Sequence, residues 1–190
     1  ALPICNLFMR CTKTLFVLAT VVIASVAVCG CSSKNEETEQ PVTPNTITID
    51  GKEKTILQAV YTDFTLSNDY QLALILSQDH NERVEINFNT TNHANKDINL
   101  AKRDDASQEG GSWKVNYYDA AGNLVINTWG QSKENYNEGE AILPVFIQGR
   151  MRIAPGKNND INIFLKDGEV IGKDGKKHTI IINYDGKTEK

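Results

Sequence analysis

Five aromatic residues, Trp113, Tyr117, Tyr118, Trp129 and Tyr136, fall within 24 positions and are the residues best suited to chemistry. An aromatic ring is an apolar body with a polar rim, and amides and carboxylates beside it bond hydroxyl groups. That pairing is how β-proteins stack on sugar rings. Alternation over 113–119 puts Trp113, Val115 and Tyr117 on one face and Lys114, Asn116 and Tyr118 on the other. Trp113 and Tyr117 suit a core as well as a ligand. Trp129 and Tyr136, at the end of the next segment and in the loop after it, are the expected exposed pair. The candidate ligand-binding set is therefore Trp129, Tyr136, Tyr118 and Trp113.

Other chemistries find less support. The domain has no cysteine and no G-x-S-x-G, and His80, His93 and His178 have no recognisable triad partner. His80 and His93 lie in polar turns without the H-x-x-x-H spacing that places two metal ligands on one face, so exposed loop histidines are expected and haem capture is the weaker alternative. Asp104, Asp105, Glu109, Glu134, Glu138 and Glu140 could supply a carboxylate pair for glycoside hydrolysis. All sit in polar loops, where solvated roles are expected. No catalytic residue, metal or cofactor is assigned, and a non-enzymatic protein is expected.

The elements that must position these residues are strands. From Thr46 onward, short segments rich in Ile, Val, Tyr and Phe alternate with polar residues between Gly and Asn/Asp turns. The expected strands are Thr46–Asp50, Tyr70–Ser77, Arg83–Asn89, Trp113–Asp119, Leu124–Trp129, Ala141–Ile153, Asp160–Lys166 and Lys177–Tyr184. Lys54–Phe64 fits a helical face through Ile56, Leu57, Val60, Tyr61 and Phe64, but its β-branched and aromatic content favours a strand. The polar stretch Asn89–Ser112 is expected to hold a short edge strand at Ile98–Leu100 and a flexible Arg103–Gly111. Asp-Gly occurs at 50–51, 167–168, 174–175 and 185–186; the first and third pairs suit type I′ hairpins. Two of these turns share the pattern D-G-K-x-x-T-I, at Asp50–Ile56 and Asp174–Ile180, which reads as the same turn chemistry used twice.

The 190 residues carry a formal charge of −4. Leaving out Arg10 and Lys13, the basic residues of the leader, 18 basic residues remain against 24 acidic ones, a charge of −6. This argues against a nucleic-acid partner, which needs a basic face. Residues 46–190 make one domain, large enough to bury a core without disulfides.

Before that domain, Arg10 and Lys13 precede an uncharged run from Thr14 to Ser33 that contains Val28-Cys29-Gly30-Cys31. A membrane span of about 20 residues is the alternative reading, but the run ends in Gly, Cys and Ser. The stretch resembles a bacterial lipoprotein signal ending in a lipobox. Cys31 has branched Val28 three positions before it and small Gly30 directly before it, whereas Cys29 follows bulky Val28. The resemblance implies residues 1–8 as upstream extension, 9–30 as signal peptide, and 31–45 as lipidated Cys31 plus a flexible tether. Acyl chains on Cys31 would hold the protein to a membrane without a spanning segment. Glu36, Glu37 and Glu39 resemble the acidic export cluster of Bacteroidota surface lipoproteins. This implies an outer-membrane, surface-exposed protein, with a periplasm-facing one as the alternative.

The C-terminal part reads Gly149-x-Met151-x-Ile153, Ile161-x-Ile163-x-Leu165-x-x-Gly168, Asp174-Gly175-Lys176 and Thr179-Ile180-x-x-x-Tyr184-x-Gly186. With Thr46-Ile47-Thr48-Ile49-Asp50-Gly51, it resembles small calycin-like or β-sandwich lipoproteins of Bacteroidota. The resemblance implies an all-β, antiparallel sandwich or calycin-like barrel of about 8–10 strands, with little helix, and it carries over no functional residue. The expected function is a monomeric binding or accessory module for a polysaccharide or a surface protein. A structural, fimbrillin-like subunit is the alternative.

Overall fold

The computed structural model describes residues 44–64, 68–105 and 111–190. The leader, Cys31 and the acidic cluster lie outside the described residues. The strands are β1 (Thr46–Ile49), β2 (Lys52–Thr55), β3 (Gln58–Phe64), β4 (Asp69–Ile75), β5 (Arg83–Asn89), β6 (Asp97–Asn99), β7 (Lys114–Tyr118), β8 (Leu124–Asn127), β9 (Gln148–Pro155), β10 (Asp160–Ile171) and β11 (Lys177–Lys187). They form two antiparallel sheets, ordered β2-β1-β11-β10-β9-β6 and β3-β4-β5-β7-β8. The chain is a β-sandwich; backbone ties between the two sheets include the Val60–Glu189 bridge and the Lys173 N–H, which donates to the Val125 carbonyl.

Period two builds the core. In β5, Val84, Ile86 and Phe88 point inward, and in β4 Leu72 and Leu74 do the same. The six-stranded sheet answers with Ile47, Met151, Ile153, Ile161, Ile163, Leu165, Ile180 and Ile182. Each such side chain contributes about 1.5–3 kcal/mol by leaving water. Truncating one to alanine would cost about 2–5 kcal/mol, because a close-packed layer relaxes only partly around the gap.

Lys54–Phe64 is two strands broken at Ile56 and Leu57, and β6 is the short edge strand expected near Ile98. Asp50 and Gly51 both have positive φ, 49° and 75°, as a type I′ turn requires. At the Asp174-Gly175 hairpin only Gly175 does, so that turn is of another type. Asp167-Gly168 is no turn. The pair forms a β-bulge inside β10, which runs on past Lys166 to Ile171. Ala141–Ile153 becomes a strand only from Gln148. The residues before it carry the chain from one sheet to the other, and Pro144 there has no N–H to give a ladder. A four-residue helix, Thr90–His93, was not expected; the Asn89 side chain caps it by accepting from the N–H groups of Thr91 and Asn92.

Polar ties close the sandwich at one end. Lys54 on β2 bonds both carboxylate oxygens of buried Glu82, at 2.9 and 3.1 Å, and the Tyr117 hydroxyl donates to the same carboxylate at 2.7 Å. Burial, and then this bond, push the Tyr117 hydroxyl pKa well above its ordinary value. The two similar turns meet nearby. Because Ile49 pairs with Ile180, Asp50 falls beside the start of β11. His178 Nδ1 lies 2.8 Å from Asp50 Oδ2 and its Nε2 lies 3.1 Å from Asp174 Oδ1. A neutral imidazole has one N–H, so one of these contacts would set a lone pair against a carboxylate. Burial disfavours the charged ring, but the bonds to Asp50 and Asp174 outweigh it and raise the His178 pKa.

A raised folded-state pKa stabilises the fold fully below the unfolded value, and that stabilisation is lost as pH rises through the folded value. Thermal unfolding followed between about pH 5 and about pH 9 should therefore show a loss of stability with rising pH that His178→Gln abolishes. Equal slopes in both proteins would refute the imidazolium bridge.

Candidate functional site

The segment from Trp129 to Leu143 has little regular structure, only a 3-10 turn at Lys133–Asn135. Its backbone carbonyls therefore need donors from elsewhere. Arg103 supplies them. Its Nη1 donates to the carbonyls of Trp129 (2.9 Å) and Gln131 (3.0 Å) and to the Tyr136 hydroxyl (3.4 Å), and its Nη2 donates to the carbonyl of Leu143 (2.5 Å). The Tyr136 hydroxyl also accepts from the Leu143 N–H. Arg103 was expected in a flexible stretch. It is instead the pin that fixes this loop, because one guanidinium offers five donors in a rigid fork.

Around that pin the aromatics separate into three environments. Trp129 and Tyr136 meet edge to face, with centroids 5.1 Å apart. The Trp129 side chain continues the outer face of the five-stranded sheet, where Lys114 Nζ lies 4.1 Å from its ring centroid. Tyr118 is on the same outer face, but Arg83 covers its ring at 3.8 Å and is itself held by Glu85 at 2.7 Å. Burial, then the Glu85 charge, raise the Tyr118 pKa; Arg83 opposes them. Trp113 is in the core, 1% exposed, and its indole presses on Gly130, where any Cβ would clash. Trp113 thus shapes the loop and offers no ring face to a ligand.

A groove of about 430 Å³ runs beside Trp129. Its lining includes Phe64, Asp69, Asn87, Ser112, Lys114 and Trp129. Phe64 is 47% exposed. The register explains the grouping: Gln71, Asn87 and Lys114 stand opposite one another across β4, β5 and β7, and Asn116 and Asn127 stand opposite across β7 and β8. This end of the outer face is therefore a field of amides with an ammonium and a carboxylate, bordered by the rings of Phe64 and Trp129. The chain matches no family model, no curated protein and no solved structure.

One of the two loop histidines departs from expectation. His80 is exposed in its turn, but His93 is buried. Its Nδ1 accepts the Asn89 N–H at 3.0 Å, which leaves the proton on Nε2, 3.3 Å from Asp104 Oδ1. Both ring nitrogens are committed, so His93 is a structural bridge and unsuited to haem. Asp104 is not merely solvated; its other oxygen accepts the Trp113 N–H at 3.3 Å. Among the described residues no three His, Cys, Asp or Glu side chains gather as a metal site. The arrangement suits non-covalent recognition of a polar, ring-bearing ligand.

Sequence reasoning missed Arg103 and, in the groove, Phe64, Asp69, Asn87, Ser112 and Lys114. Arg103→Ala should lower stability by about 2–3 kcal/mol and flatten the near-ultraviolet dichroism of Trp129. Arg103→Lys should recover little, since one ammonium cannot reach acceptors on three sides of the loop. Full recovery by lysine would contradict the role of the planar fork.

Proposed function

We propose that the protein is a lipoprotein anchored through Cys31 in the outer membrane, facing the cell surface, and that its sandwich is a non-enzymatic module binding polysaccharide on the outer face of the five-stranded sheet. The observation that carries this reading is the groove shared by Trp129 and Phe64 with Asn87, Asp69, Ser112 and Lys114 between them. Apolar rings pack against the C–H faces of a sugar, while amide, carboxylate and ammonium groups bond its hydroxyls. The Lys114 ammonium over Trp129 is no obstacle. An exposed cation–π contact is worth only about 0.5–1 kcal/mol, so a ligand can displace it, and the freed ammonium can donate to the ligand.

The lipobox and the acidic residues after it support the location, and no helix among the described residues is long and apolar enough to cross a membrane. A fimbrillin-like, polymerising role finds less support. Strand addition needs an open edge, and β2 presents Lys52-Glu53-Lys54 at its edge. The tail residue Glu189 bonds to Ala59 and Tyr61 along the β3 edge.

Affinity electrophoresis in gels containing neutral plant and bacterial polysaccharides should retard the protein on at least one of them. Trp129→Ala should weaken that binding about tenfold or more, a loss of about 1.4 kcal/mol or greater. Retardation by none of the polysaccharides would end the glycan reading. Labelling of cells with radioactive palmitate should mark the parent and leave Cys31→Ala unmarked; an equally labelled variant would overturn the anchor.

A further inference from the structure

The opposite sheet carries a second feature that the groove does not explain. Lys166 on β10 and Arg150 on β9 stand directly opposite each other, and Asn99 on β6 continues the row. Like charges in direct cross-strand register destabilise a sheet. Neither cation forms an ion pair among the described residues. Arg152, two positions along β9, has only a loose contact with Asp97, at 3.9 Å between exposed side chains. A second carboxylate-bearing neighbour, Asp167, sits in the bulge. A chain with an acidic excess has thus set Arg150 and Lys166 directly opposite each other, with Arg152 and its partner Asp97 beside them.

The backbone beneath them is unusual as well. Gly149 has a φ of 142°, a conformation L side chains rarely adopt, and a Cβ on it would lie 3.0 Å from the Gly168 Cα. Two glycines therefore face each other where the β-bulge interrupts β10. The side chains missing there belong to the core side, where added Cβ atoms would meet Leu100, Leu165 and Ile180, and a hollow opens on the outer face beside the bulge. Bulges recur where a sheet re-aims side chains toward a site, and strained backbone clusters at ligand clamps. The hollow measures about 630 Å³; Phe164 and Ile147 line it alongside the cations, and so do the carboxylates of Asp97 and Asp167, which leaves a net positive lining. That is far more room, and more apolar wall, than a free inorganic anion uses.

We propose that this hollow binds acidic saccharide, with carboxylate or sulfate groups on successive rings engaging Arg150, Lys166 and Arg152, and with Phe164 packing against a ring face. Cross-strand neighbours stand about 5 Å apart and alternate residues along a strand about 7 Å apart. That spacing suits charges repeated once per pyranose ring. The site is separate from the Trp129 groove, on the other sheet.

The probe is an oligogalacturonate, with the neutral oligogalactose of equal length and inorganic sulfate as comparisons, followed by calorimetry and amide chemical shifts of the 15N-labelled full chain. The oligogalacturonate should bind and shift the amides of Gly149–Arg152 and Lys166–Gly168, and binding should weaken as salt rises. Arg150→Ala/Lys166→Ala should bind at least about tenfold more weakly while melting no lower than the parent, since a repulsive pair has been removed. Lys52→Ala/Lys157→Ala, which removes the same charge elsewhere, should keep affinity within about twofold, and so should Trp129→Ala. No saturable oligogalacturonate binding, shifts centred on Trp129, or equal loss in the two double variants would overturn the proposal. Inorganic sulfate binding as tightly as the oligosaccharide would overturn the saccharide part of it.

Discussion

A single apolar layer between two sheets governs everything else in this molecule. With no cysteine in the domain, the chain relies on the inward faces of β4, β5 and β7 meeting those of β1, β9, β10 and β11. Those faces are made of isoleucine, leucine, valine, phenylalanine and methionine that are almost wholly buried. Among the described residues, a layer filled in this way leaves little room for a ligand inside. Recognition is then confined to the two outer faces and to the loops that border them, and the hollows beside Trp129 and Arg150 lie there.

The ends of the sandwich are closed by charge and hydrogen bonding rather than by further apolar contact. Lys54, Glu82 and Tyr117 join an edge of one sheet to the middle of the other. Lys173, in the turn before β11, donates to the Val125 carbonyl on β8 and ties another corner. These contacts are long-range in sequence, so each restricts how the sheets slide past one another. Arg103 does the same for the loop that presents Trp129. The site is thus irregular backbone held on a rigid scaffold, which is where binding residues are commonly carried.

What could be read from the sequence follows from how local each feature is. Alternation in Arg83–Asn89 reveals a strand and its buried face, because side chains of one strand report on one sheet. Asp50-Gly51 reveals a type I′ turn, because two adjacent residues suffice to set it. Asp167-Gly168 has the same composition yet forms a bulge, since a strand continues on both sides of it and pairs with β9 and β11. Arg103 and His93 were not legible. Their partners, the carbonyls of 129–143 and the carboxylate of Asp104, are brought to them only by the fold. Of the four aromatics proposed from sequence, period two assigned Trp113 and Tyr118 to opposite faces, as found. It could not show that Arg83 covers Tyr118 or that Phe64 shares the groove with Trp129.

The filled interior can be tested without any knowledge of the natural ligand. Titration with a fluorescent fatty acid, monitored by its emission and by tryptophan quenching, distinguishes a packed sandwich from a protein with an internal pocket. The account predicts weak, unsaturable partitioning with no quenching of buried Trp113. A saturable one-to-one complex that quenches Trp113 and protects core amides from exchange would contradict it.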